Sequence, residues 1–242
     1  MIAMGLLRLE DLRKQYGALV VTNGFSLDVE TGEIVGILGP NGAGKTTLFN
    51  LITGTVQPNS GRVVFDGQEV TRLDASARCQ LGIARSFQVP HPFVGMTVFE
   101  NILVGAAFGR DRSDPEGRAL QVMRQTGMAR RANVQAGALT LLERKRLEMA
   151  RALAASPKLL LLDEIAGGLT DSECVSLLET IRDVHAAGVT IIWIEHVVHA
   201  LMSVAQRLVV MNFGEKVIDG APSNVMESNE VKSIYMGEGA LD

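Results

Sequence analysis

A glycine-rich segment carries a lysine and a hydroxyl residue at a spacing that suits phosphate binding. Residues 39–46 read Gly-Pro-Asn-Gly-Ala-Gly-Lys-Thr and fit the pattern G-x-x-x-x-G-K-[ST]. Glycines let the loop curl so that backbone N–H groups face a polyanion, while Lys45 adds a charge for the terminal phosphates and Thr46 a hydroxyl for Mg²⁺. The alternative is a glycine turn that only joins a strand to a helix. The predicted nucleotide-binding residues of this segment are Gly39, Pro40, Asn41, Gly42, Ala43, Gly44, Lys45, Thr46 and Thr47.

Further polar residues follow two apolar runs that are typical of buried strands. Asp163 and Glu164 come directly after four leucines, and His196 lies just beyond the run at 191–194. Beside a phosphate loop, one carboxylate can hold Mg²⁺ and a second can orient or deprotonate water. Asp163 is therefore the predicted metal ligand and Glu164 the predicted base, while the imidazole of His196 can reach a terminal phosphate or the catalytic carboxylate. The alternatives are a solvated acidic turn and a structural histidine.

The segments on either side of the glycine-rich loop predict a strand and a helix. Residues 34–38 are an apolar run that ends at Gly39, which is typical of a buried parallel strand. Residues 45–53 suit a short helix that Gly54 ends. Besides 159–162 and 191–194, strands are predicted at 6–9, 25–29, 63–65, 208–211 and 216–219, the last two forming a hairpin around 212–214.

The second half of the chain contains a long helical stretch and one helix with clear ends. Residues 89–151 show helical patterns without a convincing strand, which predicts a helical insertion. A further helix is predicted over 172–187. Thr170 and Glu173 have the spacing of a capping box at its start, and Gly188 suits a left-handed residue at its end.

Composition narrows the classes of protein that this chain can represent. Its 242 residues are 47% hydrophobic with a mean hydropathy of +0.19, which excludes intrinsic disorder. The formal net charge of -4, spread along the chain, argues against nucleic acid as a partner. Cys79 and Cys174 lie far apart without metal-ligand spacing, so we expect inert thiols in a reducing compartment. We expect neither a membrane span nor a secretion signal at residues 1–10, and therefore a cytosolic protein.

Together these motifs resemble the ATP-binding subunit of an ABC transporter, over nearly the whole chain. The resemblance implies an α/β fold: a P-loop NTPase (RecA-like) core with a mainly parallel sheet, an N-terminal antiparallel β subdomain and a helical insertion. It implies one domain, with 1–88 and 152–242 as core and 89–151 as helical subdomain. It also implies ATP and Mg²⁺ as ligands, Tyr16 stacked on adenine, and Gln88 as a sensor of metal and γ-phosphate that links to a membrane partner. An ordinary strand tyrosine and a surface-turn glutamine are the alternatives.

Within that family, the chain is similar to the ATPases of branched-chain (hydrophobic) amino acid importers. Residues 96–102, Met-Thr-Val-Phe-Glu-Asn-Ile, and the ending from Gly220 through Glu238 carry this likeness. It implies uptake of such amino acids, transmembrane permease subunits and, indirectly, a substrate-binding protein as partners, and a peripheral position on the inner face of the membrane. The alternatives are an ATPase of lipid or lipopolysaccharide export and a nucleotide-binding regulatory subunit with weak hydrolysis; a P-loop kinase is less favoured.

One motif departs from the family pattern. Where members usually carry a signature resembling Leu-Ser-x-Gly-Gln, which binds ATP held by the opposite subunit, residues 139–143 read Leu-Thr-Leu-Leu-Glu. Thr140 and Glu143 keep the spacing of a capping box, so the helix start can still face an anion. Leu142 replaces the glycine that lets the backbone approach phosphate closely, and this predicts an impaired half-site. We therefore expect a second ABC ATPase chain as partner, with a heterodimer favoured over a homodimer.

Overall fold

The computed structural model describes residues 5–236, which divide into two compact units. The first unit comprises the described parts of Met1–Ala75 and Ile192–Asp242, and the second comprises Ser76–Ile191. Residues 1–4 and 237–242 lie outside the description, and with them Gly237 and Glu238 of the C-terminal likeness.

An antiparallel sheet forms one part of the first unit. Its strands are arranged in the order β2-β1-β4-β5. Bulges interrupt the pairing of β1 with β2, and Asp11 in β1 has a positive φ of 46°. Leucine, valine and phenylalanine side chains on one face of the sheet are buried, which produces its core. The bounds are β1 Leu7–Tyr16, β2 Leu19–Val29, β4 Ser60–Phe65 and β5 Gln68–Glu69.

The other part of the first unit contains the segment that carries the glycine-rich loop. The fully buried strand β3 (Ile34–Leu38) is followed by that loop and then by α1 (Lys45–Thr53). β3 pairs in parallel with β9 (Arg207–Asn212), so both strands end at the same edge. β10 (Glu215–Gly220) pairs antiparallel with β9. The remaining helices are α7 Val198–Met202, α8 Pro222–Glu227 and α9 Asn229–Met236.

The second unit is mainly helical. Its strands β6 (Ile83–Arg85) and β7 (Leu159–Asp163) pair in parallel, with Arg85 opposite Leu161. α3, α4 and α5 pack against one another through buried alanine, valine, leucine and methionine side chains. The helices are α2 Ala75–Leu81, whose first residue belongs to the first unit, α3 Val98–Phe108, α4 Pro115–Gln125, α5 Leu141–Ala154 and α6 Asp171–Ala186. β8 (Thr190–Ile194) has residues in both units.

Several local predictions are confirmed to the residue, whereas other elements were missed or are longer than predicted. α1 has the predicted bounds and ends at Gly54, whose φ is 78°. α6 begins with the predicted capping box of Thr170 and Glu173. The predictions missed α2 and the three-residue β6, and β1 and β2 are longer than predicted because their bulges break the alternation of apolar and polar residues. The division of the chain into a core and an 89–151 subdomain stays a prediction.

Both cysteines are reduced and shielded. Cys174 is buried in α6, and burial raises the pKa of the Cys79 thiol, which disfavours the reactive thiolate.

Candidate nucleotide-binding and catalytic site

The glycine-rich loop connects the carboxyl end of β3 to the N-terminus of α1. Lys45, the first residue of α1, is buried, with 6% of its surface exposed. Its ammonium group donates hydrogen bonds to the carbonyl oxygens of Gly39 at 2.5 Å and Pro40 at 2.9 Å. The positive charge is therefore held inside the curl of the loop, whereas Thr46 on the next position is exposed.

Gly44 permits the helix to begin at this point. It is the N-cap of α1 and has a φ of 101°, a conformation that residues with a Cβ rarely adopt. A Cβ at this position would also collide with the carbonyl oxygen of Val21 in β2. Gly44 contributes no side-chain cap and the first turn contains no acidic residue, so the dipole of α1 is not offset by a local carboxylate.

The turn between β9 and β10 packs directly against this loop. The N–H of Gly214 donates to the carbonyl oxygen of Ala43 at 3.0 Å, and the N–H of Asn23 donates to the carbonyl oxygen of Gly214 at 2.9 Å. Because β3 and β9 are parallel, the loop and this turn lie at the same edge of their strands.

Two other predicted residues of the first unit are accessible to ligands. Tyr16 ends β1, is 49% exposed, and its ring lies 5.0 Å from the ammonium nitrogen of Lys14. His196 is exposed just after β8, and its backbone N–H donates to the carboxylate of Glu195 at 3.0 Å. Glu195 is itself buried and orients the start of this loop, a role that sequence reasoning missed because the residue follows an apolar strand without a motif of its own.

In the second unit, Asp163 forms a buried ion pair at the ends of β6 and β7. Nη2 of Arg85 lies 2.5 Å from Oδ2 of Asp163, and the side chains are 7% and 3% exposed. Removing one partner of such a pair would leave an uncompensated buried charge. The sequence analysis did not single out Arg85. Its position three residues before Gln88 was the one feature that linked it to the predicted site.

Glu164 and Gln88 are brought together. The side-chain amide of Gln88 donates to the carboxylate of Glu164. Glu164 has a positive φ of 47°, which is uncommon for a residue with a Cβ, and its carbonyl oxygen accepts from the ammonium of Lys145 in α5 at 3.2 Å. Lys145 thus links α5 to the backbone of Glu164 at a residue of unusual conformation.

The start of α5 is closed by its own side chains. Thr140 is the N-cap, and the predicted capping box with Glu143 is present. The carboxylate of Glu143 accepts from the N–H of Thr140 at 2.9 Å and from Nε of Arg131 at 2.6 Å. The Thr140 N–H and the Arg131 guanidinium lower the pKa of the Glu143 carboxyl. Leu142 follows in the first turn and is half-buried.

The segment that follows Gln88 is fastened to α5. The carboxylate of Glu148 accepts from the N–H of His91 at 2.9 Å, and Arg151 donates to the carbonyl oxygen of His91 at 3.0 Å. The guanidinium of Arg151 also lies 4.9 Å from the ring centre of Phe93. Three exposed apolar side chains lie in this segment, Val89, Phe93 and Val94, and a fourth, Phe87, directly precedes Gln88.

Comparison with known proteins gives the same assignment along most of the chain. The family model described as ABC transporter matches residues 22–167. The chain is 34% identical to the high-affinity branched-chain amino acid transport ATP-binding protein BraF of Pseudomonas aeruginosa, over 96% of this chain and 98% of that protein. It is also 34% identical to the lipopolysaccharide export system ATP-binding protein LptB of Haemophilus influenzae, over 97% and 98%.

Solved structures of ATP-binding cassettes have a similar architecture. A nucleotide-free ATP-binding cassette from an ABC transporter superimposes with a TM-score of 0.88 at 28% identity, covering 96% of this chain and 99% of that one. The ADP conformation of MJ1267, an ATP-binding cassette of an ABC transporter, gives 0.87 at 29% identity, covering 97% and 99%.

The fold and the phosphate loop define a P-loop NTPase, as the sequence predicts. The chain belongs to the ABC transporter family, in which it is an ATP-binding subunit with ATPase activity. Within residues 5–236, no helix combines the length and apolar character that crossing a membrane requires.

Proposed function

We propose that this subunit binds Mg²⁺-ATP at residues 39–47 and hydrolyses it with Glu164 as base, to energise uptake of branched-chain or other hydrophobic amino acids. The observation that carries the proposal is the buried Lys45 ammonium at the uncapped start of α1, held by carbonyl oxygens of the glycine-rich loop. The oxygen atoms of a triphosphate can replace these carbonyl oxygens as acceptors for the Lys45 ammonium group. The dipole of α1 favours the negative charge of the triphosphate.

The three proposed magnesium ligands are all oxygen donors. Mg²⁺ prefers oxygen ligands from hydroxyl, carboxylate and amide groups, which Thr46, Asp163 and Gln88 supply. Arg85 holds one oxygen of Asp163 and so fixes the orientation of this carboxylate. When bound, the ion would neutralise charge on the β- and γ-phosphates.

Glu164 is proposed to accept the proton of the attacking water. Water attacks the γ-phosphorus, the bond to the ADP oxygen breaks, and the products are ADP and phosphate. Two hydrogen bonds support this role. Gln88 donates to the side-chain carboxylate of Glu164 and Lys145 donates to its backbone carbonyl oxygen, so both groups are fixed in position. Lys45 and His196 would stabilise charge on the transferring phosphoryl group, and Tyr16 would stack on adenine.

Replacement of the proposed base tests the mechanism. We expect Glu164→Gln to keep ATP affinity and to lower steady-state phosphate release by about 100-fold or more, the usual contribution of a general base. Glu179→Gln, at an exposed position of α6, is the matched control and should release phosphate at the wild-type rate. Wild-type turnover in the Glu164 variant would remove this residue from the role. A wild-type complex that binds ATP without releasing phosphate would favour the regulatory subunit.

The exposed apolar segment around Gln88 supports a permease as partner. Phe87, Val89, Phe93 and Val94 present apolar surface, while Glu148 and Arg151 tie the segment to α5. We propose that a permease binds at this segment and keeps the subunit at the inner face of the membrane, with a substrate-binding protein reached through the permease. Movement of Gln88 would then be transmitted to the helix that carries Thr140 and Leu142.

The transported substrate has a second candidate because LptB is as similar to this chain as BraF is. Copurification of the native complex with mass spectrometry of its subunits separates the two. Two permeases with a periplasmic-type binding protein would support import of amino acids, and a lipopolysaccharide-handling partner would support export.

The second ATP-binding chain is proposed to face the loop of the first through residues 139–143. The comparison with relatives does not support the predicted preference for a heterodimer over a pair of identical chains. The subunit count from the same copurification decides this point.

A further inference from the structure

The turn of the β9–β10 hairpin contains an aromatic residue in a conformation that does not favour it. Phe213 and Gly214 are the two turn residues between Asn212 and Glu215, and both have positive φ, 46° and 78°. Such turns favour Asn-Gly or Asp-Gly, and a bulky residue at positive φ is strained. The β4–β5 hairpin uses the favoured pair, Asp66 and Gly67, at φ of 50° and 77°.

Phe213 is unfavourable in a second respect, because its side chain is 83% exposed. A single exposed phenylalanine is common. At Phe213, however, the positive φ destabilises the turn and the exposed ring is unfavourable in water. Where local preferences are broken in this way without a packing gain, function is the usual reason.

The backbone places Phe213 beside the phosphate loop. Its neighbour Gly214 donates to the Ala43 carbonyl oxygen at 3.0 Å, and a Cβ on Gly44 would lie 3.6 Å from the Cα of Gly214. Gly214 also packs so closely on β2 that a Cβ would lie 2.5 Å from the carbonyl oxygen of Val21. The turn is therefore fixed in position against the segment that begins α1.

Other exposed apolar residues directly precede Val21, the residue of β2 that lies against this turn and against Gly44. In β2, Leu19 and Val20 precede Val21 directly and are 66% and 49% exposed, and Leu19 pairs with Tyr16 of β1. A ligand held by its phosphates at the start of α1 would thus meet apolar surface from β2 and from the β9–β10 turn. An aromatic base is the part of a nucleotide that suits such surface.

We propose that the ring of Phe213 contacts the nucleoside part of the bound nucleotide and adds affinity that the phosphates do not supply. This inference rests on the proposed function, since it assumes nucleotide binding at residues 39–47. It makes Phe213 a second aromatic contact for the base, besides the one predicted for Tyr16.

Calorimetric titration of the full chain with Mg²⁺-ATP and, separately, with inorganic tripolyphosphate tests the inference. For Phe213→Asn we expect ATP affinity to fall about five- to tenfold, in the range of base–aromatic stacking. Tripolyphosphate affinity should stay at the wild-type value because that ligand has no base. Phe213→Tyr keeps an aromatic ring and should bind ATP with the wild-type affinity. Val217→Ala, on the same hairpin, should leave the affinities for ATP and for tripolyphosphate unchanged.

The asparagine variant also separates a binding role from a structural one. Asparagine tolerates positive φ, so the variant should unfold at a urea concentration equal to or higher than the wild type while it binds ATP more weakly. Equal losses of ATP and tripolyphosphate affinity, or wild-type ATP affinity in Phe213→Asn, would overturn the inference and leave the proposed function intact. A wild-type chain that binds neither ligand would overturn the proposed function itself.

Discussion

The helices α1 and α5 both begin in segments for which the family resemblance predicts phosphate binding, yet their first turns are built differently. α1 starts at a glycine with no side-chain cap and continues with Lys45. α5 starts at Thr140, and the carboxylate of Glu143 already accepts the N–H of its N-cap residue. The positive end of the dipole is therefore available to a ligand at α1 but is met by an internal anion at α5. We therefore expect the start of α1 to bind phosphate more readily than the start of α5.

The largest expected effect comes from removing the cation of α1. Lys45→Met should lower ATP turnover by about 100-fold or more, because a donor that stabilises developing charge is lost. Phosphate release by the assembled complex measures this. Lys216→Met, at a partly exposed lysine that pairs with Asp219, is the control and should behave as the wild type. Equal rates for the two variants would contradict the importance assigned to the α1 start.

A severalfold effect in the opposite direction is expected at α5. Leu142→Gly should raise ATP turnover of the assembled complex, because the branched side chain no longer blocks approach of phosphate to the backbone. Leu141→Gly is the matched control: it lies in the same turn, is 47% exposed, and carries the same cost of glycine in a helix, about 1 kcal/mol. An unchanged rate in Leu142→Gly would show that Leu142 does not limit the site.

The smallest effect concerns the pH dependence of stability at the α5 cap. The pKa of Glu143 is lowered in the folded protein by the Thr140 N–H and by Arg131. Its contribution to the free energy of unfolding is therefore present above the unfolded-state pKa of about 4.3 and is lost as pH falls through the lower folded value.

Urea unfolding of Glu143→Gln and wild type at a series of pH values measures this contribution. At neutral pH the variant should be less stable by about 1 kcal/mol or less, and the difference should shrink as pH falls below about 4.3. A difference that stays constant over this range would mean that the charge of Glu143 contributes nothing. Glu179→Gln, which replaces an exposed carboxylate outside any cap, controls for the general effect of charge.

Features encoded by neighbouring residues could be predicted from the sequence. The bounds of α1, the capping boxes at Thr140 and Thr170, and the hairpin around Phe213 depend on residues a few positions apart. The signals for these features lie within each segment, in the capping, turn and helix-ending residues themselves. The glycine-rich loop between β3 and α1 belongs to this group, because its glycines and Lys45 lie close together in the sequence.

Features that depend on distant residues could not be predicted in this way. Arg85 and Asp163 are 78 positions apart, and the bond from Lys145 to Glu164 joins a helix to a strand end. β6 is only three residues long, which is too short for a periodic signal. Such pairs form only when parallel strands and packed helices bring the residues together.

By itself, therefore, the sequence determined that this chain is a P-loop ATPase and that a glycine-rich loop joins a buried strand to α1, since contiguous residues encode both features. Only the tertiary structure decided that Arg85 orients Asp163, that α5 holds the backbone of Glu164, and that Gly214 anchors Phe213 beside the loop. Each of these depends on a hydrogen bond, an ion pair or a close contact between segments far apart in the chain. No local pattern of residues predicts contacts of this kind.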